Sequence, residues 1–405
     1  MTKIAIIGFG VVGSGVYEVL RENAAEITRT TLDPIDIKYI LDIRDFSSHP
    51  ESHLFTDNVD NIANDPEVSI VVETMGGIEP ANTFTRKMLS AGKTVVTSNK
   101  ELVATYGDEL FALALENNCS YYYEASVGGG IPIIRPMRKC LAANRIDSVC
   151  GILNGTTNYI LTRMFQENVS FESALSEAQA KGYAEKDPTA DVDGLDTGKK
   201  ISILSSMING QKINYADVHT EGIRSITLAD TEFAAKLGYS IKLIGKCERI
   251  GDKYAVVVAP MLVSKDSPLA GIDDVFNGIM VSGNMLGDAL FYGRGAGKLP
   301  TASAVVADVI DAATSDHIKF RAPWTASDKN VLVDYDDIVT SMYVCVEADS
   351  ADAVRAFVSD KFGSDTDLIA AGNHLAFITP PDKIKNIRTA LCDMGANICN
   401  TLMIL

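Results

Sequence analysis

The sequence is poor in histidine, in tryptophan and in paired cysteines. It has five histidines, one tryptophan and seven cysteines in 405 residues. No two cysteines form a CxxC pair, and several lie in apolar stretches such as IDSVCGIL, which is typical of buried, reduced thiols in a cytoplasmic protein. There is no HExxH motif, and His49 and His53 lie in a loop-like segment, SSHPESH. A transition-metal site is therefore not expected.

Positive charge and long apolar runs are also scarce. The net charge is −17 and no basic stripe offsets it, which argues against nucleic acid and anionic lipid as partners. No apolar run is long enough to cross a bilayer, and the start, MTKIAIIGFGVVGSG, lacks the pattern of a signal peptide. The expected partners are small molecules and other protein subunits.

The first 130 residues contain alternating strand and helix patterns. Apolar runs typical of buried strands are KIAII, IDIKYILDI, SIVVETM, KTVVTSN and SYYYEAS, and helical patterns separate the later ones. Buried-type strands that alternate with helices predict an α/β fold with a doubly wound parallel sheet.

The rest of the chain predicts two further regions. Residues 131–295 have the pattern of a mixed α+β domain, and residues 293–315 that of a glycine turn before a helix with Pro300 in its first turn. Pro323, Asp328 and an acidic run from Asp334 to Asp337 indicate a linker near 320–338. Strand and helix patterns then alternate to residue 405, so we expect three domains in all.

A glycine loop follows the first strand and opens a helix. In the pattern GxGxxG, Gly8 permits the tight turn, Gly10 lets the backbone approach a pyrophosphate, and Gly13 allows close helix–strand packing. The helix N-terminus offers free N–H groups to the phosphates. At the end of the second strand, Asp42 is a candidate for the ribose and Arg44 for a 2′-phosphate, so both NAD and NADP remain open.

The segment KGYAEKDPTADVDGLDTGKK, residues 181–200, is dense in charge of both signs. It could be a solvated face, a metal cage or a pocket for a charged substrate. A helix that starts near Asp193 would place Asp193, Asp196 and Lys200 on one face. Lys199 also lies one turn from Asp196, so spacing alone does not select between the two lysines.

Six segments, in order over residues 3–310, resemble homoserine dehydrogenase: GFGVVGSG, VVETMGGIEPA, VTSNKELVA, EASVGGGIPII, GILNGTTNYILTRM and KGYAEKDPTADVDGLDTGKKISIL. The chain starts directly at the nucleotide-binding pattern, which resembles the monofunctional form of the family. The resemblance implies NAD(P)-dependent interconversion of L-homoserine and L-aspartate 4-semialdehyde, a step toward threonine, methionine and isoleucine. A non-catalytic NAD(P) and amino-acid sensor, or a reductase of another amino-acid aldehyde, are the alternatives.

The resemblance also implies site residues. Those of the pyrophosphate loop are Gly8, Gly10, Val11, Val12 and Gly13. Those that contact the cofactor elsewhere are Thr74, Ser98, Lys100, Gly295 and Gly297. Those of substrate binding and proton transfer are Glu185, Asp191, Asp196 and Lys200. Those that bind a monovalent cation, typically sodium, mainly through backbone carbonyls, are Glu124, Val127, Gly129 and Ile131.

Each of the charged residues has an implied role. Lys200 is the expected acid/base, Asp196 fixes its position, and Lys100 is a second proton handler. Glu185 would bind the ammonium group of the substrate, and Asp191 would hold its polar end.

The implied organisation is a Rossmann-type domain at 1–130, completed by 296–325, a substrate-binding and dimerisation domain at 131–295, and an ACT-like βαββαβ tail at 338–405. The resemblance further implies a homodimer, with a homotetramer and a threonine effector as additional expectations.

Overall fold

The computed structural model describes residues 1–315, 322–326 and 330–405. Its helices are α1 Val11–Glu22, α2 Ala24–Thr31, α3 Val59–Ala63, α4 Ala81–Ser90, α5 Lys100–Glu116, α6 Gly155–Glu167, α7 Phe171–Ala180, α8 Thr189–Val192, α9 Leu195–Asn209, α10 Leu228–Leu237, α11 Lys298–Thr314, α12 Ala351–Phe362 and α13 Ile384–Cys392. Its strands are β1 Thr2–Ile7, β2 Ile35–Leu41, β3 Phe55–Thr56, β4 Val68–Glu73, β5 Thr94–Thr97, β6 Tyr121–Tyr122, β7 Ile146–Ile152, β8 His219–Thr220, β9 Tyr239–Ile250, β10 Lys253–Ser264, β11 Phe276–Gly283, β12 Gly287–Arg294, β13 Val339–Thr340, β14 Met342–Glu347, β15 Leu368–Ala371, β16 His374–Ile378, β17 Asp382–Lys383 and β18 Asn397–Ile404. Within these residues, every helix is too short or too polar to cross a lipid bilayer.

The first compact unit is built on a six-stranded parallel sheet. It comprises residues 1–145 and 202–215 and the described residues from 291 to 326. The strand order is β3-β2-β1-β4-β5-β6, the order of a Rossmann-type fold. The strands of KIAII and SIVVE are buried on both faces, because helices cover both sides of a parallel sheet. The prediction of a doubly wound α/β fold is confirmed.

The helix α11 returns to this unit and packs on α1. A Cβ atom on Gly15 of α1 would lie 2.9 Å from the carbonyl oxygen of Lys298, so only glycine permits this approach. Val16 and Leu20 of α1 share a buried core with Val305 and Val309 of α11. This late helix lies in the segment 296–325 that was expected to complete the nucleotide-binding domain, and residues 316–321 of that segment lie outside the described part.

The second compact unit contains a ten-stranded mixed sheet. It comprises residues 146–201, 216–290 and 330–405. The sheet order is β12-β11-β7-β9-β10-β18-β14-β16-β15, with β8 paired to β10. The long antiparallel pair β9–β10 runs over twelve residues of each strand. One buried cluster extends from Ile152 and Ile244 to Val358 of α12 and Leu391 of α13, so the helices of the tail cover a shared core.

The tail has the predicted βαββαβ order, but its sheet is not separate. Its strands lie in the order β18-β14-β16-β15, and β18 pairs in parallel with β10 through Met261–Met403 and Leu262–Ile404. Hydrogen bonds therefore join the tail to the sheet of the preceding region.

The predicted linker is partly packed. Trp324 is buried, and its indole lies edge-on to the Phe111 ring of α5 with the ring centroids 4.8 Å apart. The N–H of Tyr254 donates to the Val331 carbonyl at 2.9 Å, and the Val333 N–H donates back to the Tyr254 carbonyl at 2.9 Å. Asp328, one of the residues that suggested a linker, lies outside the described residues.

Candidate active site

The glycine loop joins β1 to α1 in the first unit. Gly8 has a left-handed φ of +92°, and a Cβ atom on Gly13 would lie 1.9 Å from the Gly8 carbonyl oxygen. Gly10 is the N-cap of α1 without a side-chain cap, and a Cβ atom there would meet nothing within 4 Å. Tight packing on one side and an open, uncapped helix end on the other fit a bound pyrophosphate.

The hydroxyl of Thr74 stabilises this loop. Thr74 follows β4, and its Oγ1 donates to the Gly8 carbonyl at 2.7 Å. The structure thus places Thr74 against the glycine loop, where it orients the carbonyl on which Gly13 packs.

The end of β2 carries a paired aspartate and arginine. The Asp42 carboxylate accepts the Phe9 N–H at 2.8 Å and the Arg44 Nε–H at 2.9 Å. The Arg44 side chain, 57 % exposed, also donates to the Phe9 carbonyl at 2.8 Å. Hydrogen bonds from the Arg44 guanidinium hold the pKa of Asp42 well below its usual range. The two candidates for the ribose end of the cofactor therefore form one unit with the glycine loop.

The ends of β4 and β5 meet at a buried carboxyl group. Glu73 accepts the Thr97 hydroxyl at 2.5 Å and the Met75 N–H at 2.7 Å. Burial raises the pKa of Glu73 to about 7, although these hydrogen bonds oppose the shift. The Asn99 side chain caps α5 by accepting the Leu102 N–H at 3.1 Å, and donates to the Gly77 carbonyl at 2.6 Å.

Ser98 and Lys100 lie on either side of Asn99. Ser98 is half-buried, and its N–H donates to the Glu73 carbonyl at 3.3 Å. Lys100 is half-buried and is the first residue of α5. Both follow β5, at the carboxyl edge where open α/β sheets bind ligands.

In the second unit, one asparagine joins two aspartates. Asn154 precedes α6, and its Oδ1 accepts the Thr157 N–H at 2.9 Å as an N-cap. Its Nδ2 donates to Asp191 at 2.7 Å and to Asp196 at 2.9 Å. Burial raises the pKa of Asp191, and the nearby Asp196 charge adds to the effect.

The lysine of this network is Lys200. Its Nζ donates to Asp196 Oδ2 at 2.7 Å and to the Leu153 carbonyl at 2.7 Å. The side chains of Lys200 and Asp196 are only 12 % and 8 % exposed. The helix α9 begins at Leu195, so Asp196 and Lys200 are separated by one turn on one face. A buried ion pair of this kind is not a solvated charge run.

Comparisons with known proteins identify the family. The model of the family "Homoserine dehydrogenase" matches residues 132–310, and that of "Homoserine dehydrogenase, NAD binding domain" matches residues 8–124. The homoserine dehydrogenase of Synechocystis is 41 % identical over 362 residues, which cover 88 % of this chain and 81 % of that protein. The chain belongs to the homoserine dehydrogenase family.

Solved structures of homoserine dehydrogenases have the same fold. The crystal structure from Thiobacillus denitrificans matches with a TM-score of 0.91 and 34 % identity over 100 % of this chain and 98 % of that one. A hyperthermophilic archaeal homoserine dehydrogenase in complex with NADPH matches with a TM-score of 0.67 and 28 % identity, over 79 % of this chain and 99 % of that one.

One expectation about the charged segment differs from the structure. The helix starts at Leu195 and does not include Asp193, because Gly194 has a φ of +81° and separates α8 from α9. The Asp193 carboxylate instead pairs with Arg224 at 2.5 Å. Glu185, the residue that the resemblance to homoserine dehydrogenases ties to the substrate ammonium, is exposed, and its carbonyl accepts the Gln179 side chain at 3.0 Å.

The predicted cation loop packs on the returning glycine segment. A Cβ atom on Gly129 would lie 2.3 Å from the Gly295 carbonyl oxygen, and the Gly130 N–H donates to the Arg294 carbonyl at 3.1 Å. Gly297 is the N-cap of α11, with a φ of +121°.

The Glu124 carboxylate accepts three backbone N–H groups, from Ile133, Ile134 and Arg135, at 2.6–2.9 Å. The carboxylate of Glu124 is therefore engaged by backbone donors, so the backbone carbonyl of this residue is the oxygen that would serve the cation implied by the resemblance, and carbonyl oxygens suit a hard cation.

Sequence reasoning missed two members of the site. Asn154, in GILNGTTNY, connects the two aspartates, and Glu73, in SIVVETM, is the buried acid beside the predicted nicotinamide edge. Each had a signal. An asparagine before a helix pattern predicts an N-cap. A carboxylate at the end of an apolar strand is expected either to face the ligand at the carboxyl edge of the sheet or to be buried with a hydrogen-bond partner.

Proposed function

We propose that this protein catalyses the NAD(P)-dependent interconversion of L-homoserine and L-aspartate 4-semialdehyde, in the biosynthesis of threonine, methionine and isoleucine. The observation that carries the proposal is the buried Asp196–Lys200 pair, 2.7 Å between Oδ2 and Nζ, in a member of the homoserine dehydrogenase family. When bound, NAD(P) supplies the hydride acceptor or donor for the carbon that bears the substrate oxygen.

Lys200 is the proposed acid/base. During oxidation of the alcohol, its amine takes the hydroxyl proton, and during reduction its ammonium returns that proton to the carbonyl oxygen. Asp196 and the Leu153 carbonyl hold Nζ from two sides, which restricts the lysine to one position before the substrate arrives. Lys100 is proposed as a second proton handler and cofactor contact.

Two carboxylates are proposed to bind the substrate. Asp191, held by Asn154, faces the same network as Lys200 and would hold the polar end of the amino acid. Glu185 lies on the exposed link between α7 and α8 and would bind the ammonium group. In this proposal, Glu185 makes the contact when the substrate is present.

For the cofactor, we propose that Gly8, Gly10, Val11, Val12 and Gly13 bind the pyrophosphate, and that Thr74, Ser98, Gly295 and Gly297 contribute further contacts. Arg44 favours NADP or dual use, because its exposed guanidinium lies beside the strand end that would approach the ribose. The archaeal homoserine dehydrogenase in complex with NADPH supports the proposal that this domain binds NADP.

A sodium ion, a dimer and a threonine effector complete the proposal. The carbonyls of Glu124, Val127, Gly129 and Ile131 would hold the ion.

The edge strand β12 exposes Leu290 and Tyr292, which suits pairing with a second copy, and dimers could associate into a tetramer. The ferredoxin-like order of the tail suits an ACT-like regulatory role, with threonine as effector. Four buried free thiols support a cytoplasmic location.

A turnover assay tests the activity. Purified protein would be given L-homoserine and a panel of other hydroxy-amino acids with NAD⁺ or NADP⁺, and reduced cofactor would be followed by absorbance. We expect turnover that is specific to homoserine. Turnover of a different hydroxy-amino acid would favour a related reductase, and binding without turnover would favour a sensor.

A further inference from the structure

Three residues that are far apart in the sequence converge on the tail sheet. Glu347 ends β14, His374 begins β16, and Cys399 lies in β18. Their carboxylate, imidazole and thiol ligand atoms all lie within 4.8 Å of one another. The separations of 27 and 25 positions (374 − 347 and 399 − 374) explain why no close ligand motif is visible in the sequence.

Strand pairing brings the three side chains together. Glu347 and His374 are direct partners in the antiparallel pair β14–β16. On the other side of β14, Cys345 pairs with Asn400 and Val346 pairs with Ile398, so Cys399 is the extra residue of a β-bulge. A bulge redirects a side chain out of the regular alternation of a strand, and here it brings the Cys399 thiol toward the Glu347–His374 pair.

We propose that Glu347, His374 and Cys399 bind a divalent transition-metal ion of the zinc type. Nitrogen, sulfur and carboxylate oxygen are the ligands that zinc prefers, and the thiolate selects against magnesium and calcium. Tetrahedral zinc places its ligand atoms roughly 3.5 Å apart, so side-chain rotations that move these atoms by about an ångström would bring them to zinc-binding distances. Cys399 binds as the thiolate, and its proton passes to the solvent.

The neighbouring residues fit this site. The Asn373 side chain donates to Glu347 Oε1 at 2.5 Å and leaves the second carboxylate oxygen for the ion. Glu347 and Cys399 are exposed and His374 is half-buried, so the ion can enter from solvent and keep water as its fourth ligand. Because the ligands come from three strands, the metal would fasten β14, β16 and β18 to one another.

Metal titration of the full-length protein tests the proposal. Zn²⁺ would be titrated in competition with a chromophoric chelator, with a phosphine reductant present to keep the thiols reduced. We expect one tight site per chain, and at least a tenfold loss of affinity in His374→Ala and in Cys399→Ser, since loss of a residue that only hydrogen-bonds to a metal ligand already weakens binding about 10–100-fold. His53→Ala and Cys392→Ser are the matched controls, because both residues are exposed and lie elsewhere.

Two further readouts identify the ligands. Co²⁺ in place of Zn²⁺ should give a thiolate-to-cobalt charge-transfer band that Cys399→Ser abolishes and Cys392→Ser retains. Hydrogen exchange in β14, β16 and β18 should slow when Zn²⁺ binds the wild-type chain, because the ion stabilises only the folded arrangement. Equal zinc affinity in the wild-type chain and the His374→Ala, Cys399→Ser double variant would overturn the proposal, as would a cobalt band that survives Cys399→Ser.

Discussion

Two adjacent lysines, Lys199 and Lys200, provide an internal comparison for the proposed acid/base. Lys200 is held by Asp196 and the Leu153 carbonyl, whereas Lys199 is one position away on the same helix. Lys200→Ala should lower kcat by about 10²–10⁴, the usual contribution of general acid–base catalysis, while cofactor binding persists. Lys199→Ala should lower kcat far less. Steady-state kinetics and NADPH fluorescence titration measure both. Near-wild-type turnover of Lys200→Ala at neutral pH would remove Lys200 from the mechanism.

The cofactor preference is a second question at the scale of a residue. Arg44 donates to Asp42 and to the Phe9 carbonyl, and its exposed guanidinium retains the capacity to meet a 2′-phosphate. Arg44→Ala should therefore weaken NADPH binding much more than NADH binding. The dissociation constants of both cofactors measure this effect, and Arg29→Ala, on the exposed surface of α2, is the control. Equal losses for the two cofactors would contradict the assignment.

Glu73 predicts a pH dependence of stability. Burial raises its pKa from 4.5 to about 7 in the folded chain. Between these two values the unfolded chain ionises while the folded chain stays protonated, so this group lowers the free energy of unfolding as pH rises from about 4.5 to about 7. The full effect is of the order of 3 kcal/mol, since one pKa unit corresponds to about 1.4 kcal/mol.

Glu73→Gln mimics the protonated group and should flatten that slope. Urea midpoints at pH 5 and pH 7 would be compared between the wild-type chain and the variant. Burial raises the pKa of Asp308 to about 7 as well, so part of the wild-type slope should survive in the variant. An unchanged slope in Glu73→Gln would show that the pKa of Glu73 is the same in the folded and the unfolded chain, which would contradict the shift that its burial causes.

At the scale of the element, the N-cap of α6 has two separable tasks. Asn154 accepts the Thr157 N–H as a cap and donates to Asp191 and Asp196. Asn154→Ala should cost about 0.5–2 kcal/mol of stability from the cap alone. Asn154→Ser keeps a capping oxygen but lacks the amide donors, so it should recover that stability without recovering kcat. Chemical denaturation and steady-state kinetics measure the two effects. Recovery of both by serine would assign Asn154 a purely structural role.

Regular elements were predicted better than the joints between them. KIAII, SIVVETM and IDSVCGIL are strands as expected, because buried strands show continuous apolar runs. The helix of the charged segment was predicted, but it begins at Leu195 and does not include Asp193, since Gly194 separates α8 from α9 and nothing in the charge spacing reveals that break. The family resemblance indicated Asp191, Asp196 and Lys200, but the hydrogen bonds of Asn154 to the two aspartates became visible only when the start of α6 lay beside them.

At the scale of the whole molecule, the tail cannot be removed without consequence. A chain that ends at Asp334 loses β18, which leaves the edge of β10 at Met261 and Leu262 unpaired. It also loses α12 and α13, whose Val358 and Leu391 share a buried core with Met261. If the tail had only a regulatory role, the fragment would be active and insensitive to threonine. The structure instead leads us to expect a fragment that aggregates or unfolds, because it exposes an apolar face and a free strand edge.

Size-exclusion chromatography and circular dichroism would measure this outcome. A soluble, fully active fragment would show that the β10–β18 pairing contributes little to the fold. A turnover assay of the intact chain with millimolar threonine tests the effector, and an unaltered rate would remove the feedback proposal without affecting the structural one.

The packing of α11 on α1 has a consequence for the order of events during synthesis. Val16 and Leu20 are made early, but their partners Val305 and Val309 follow only after most of the second unit has left the ribosome. The apolar face of α1 therefore stays exposed to solvent while the intervening chain emerges from the ribosome. Nascent chains arrested shortly before residue 298 should bind hydrophobic holdase chaperones through this face. Chains arrested far enough beyond residue 314 for α11 to lie outside the exit tunnel should no longer bind them there.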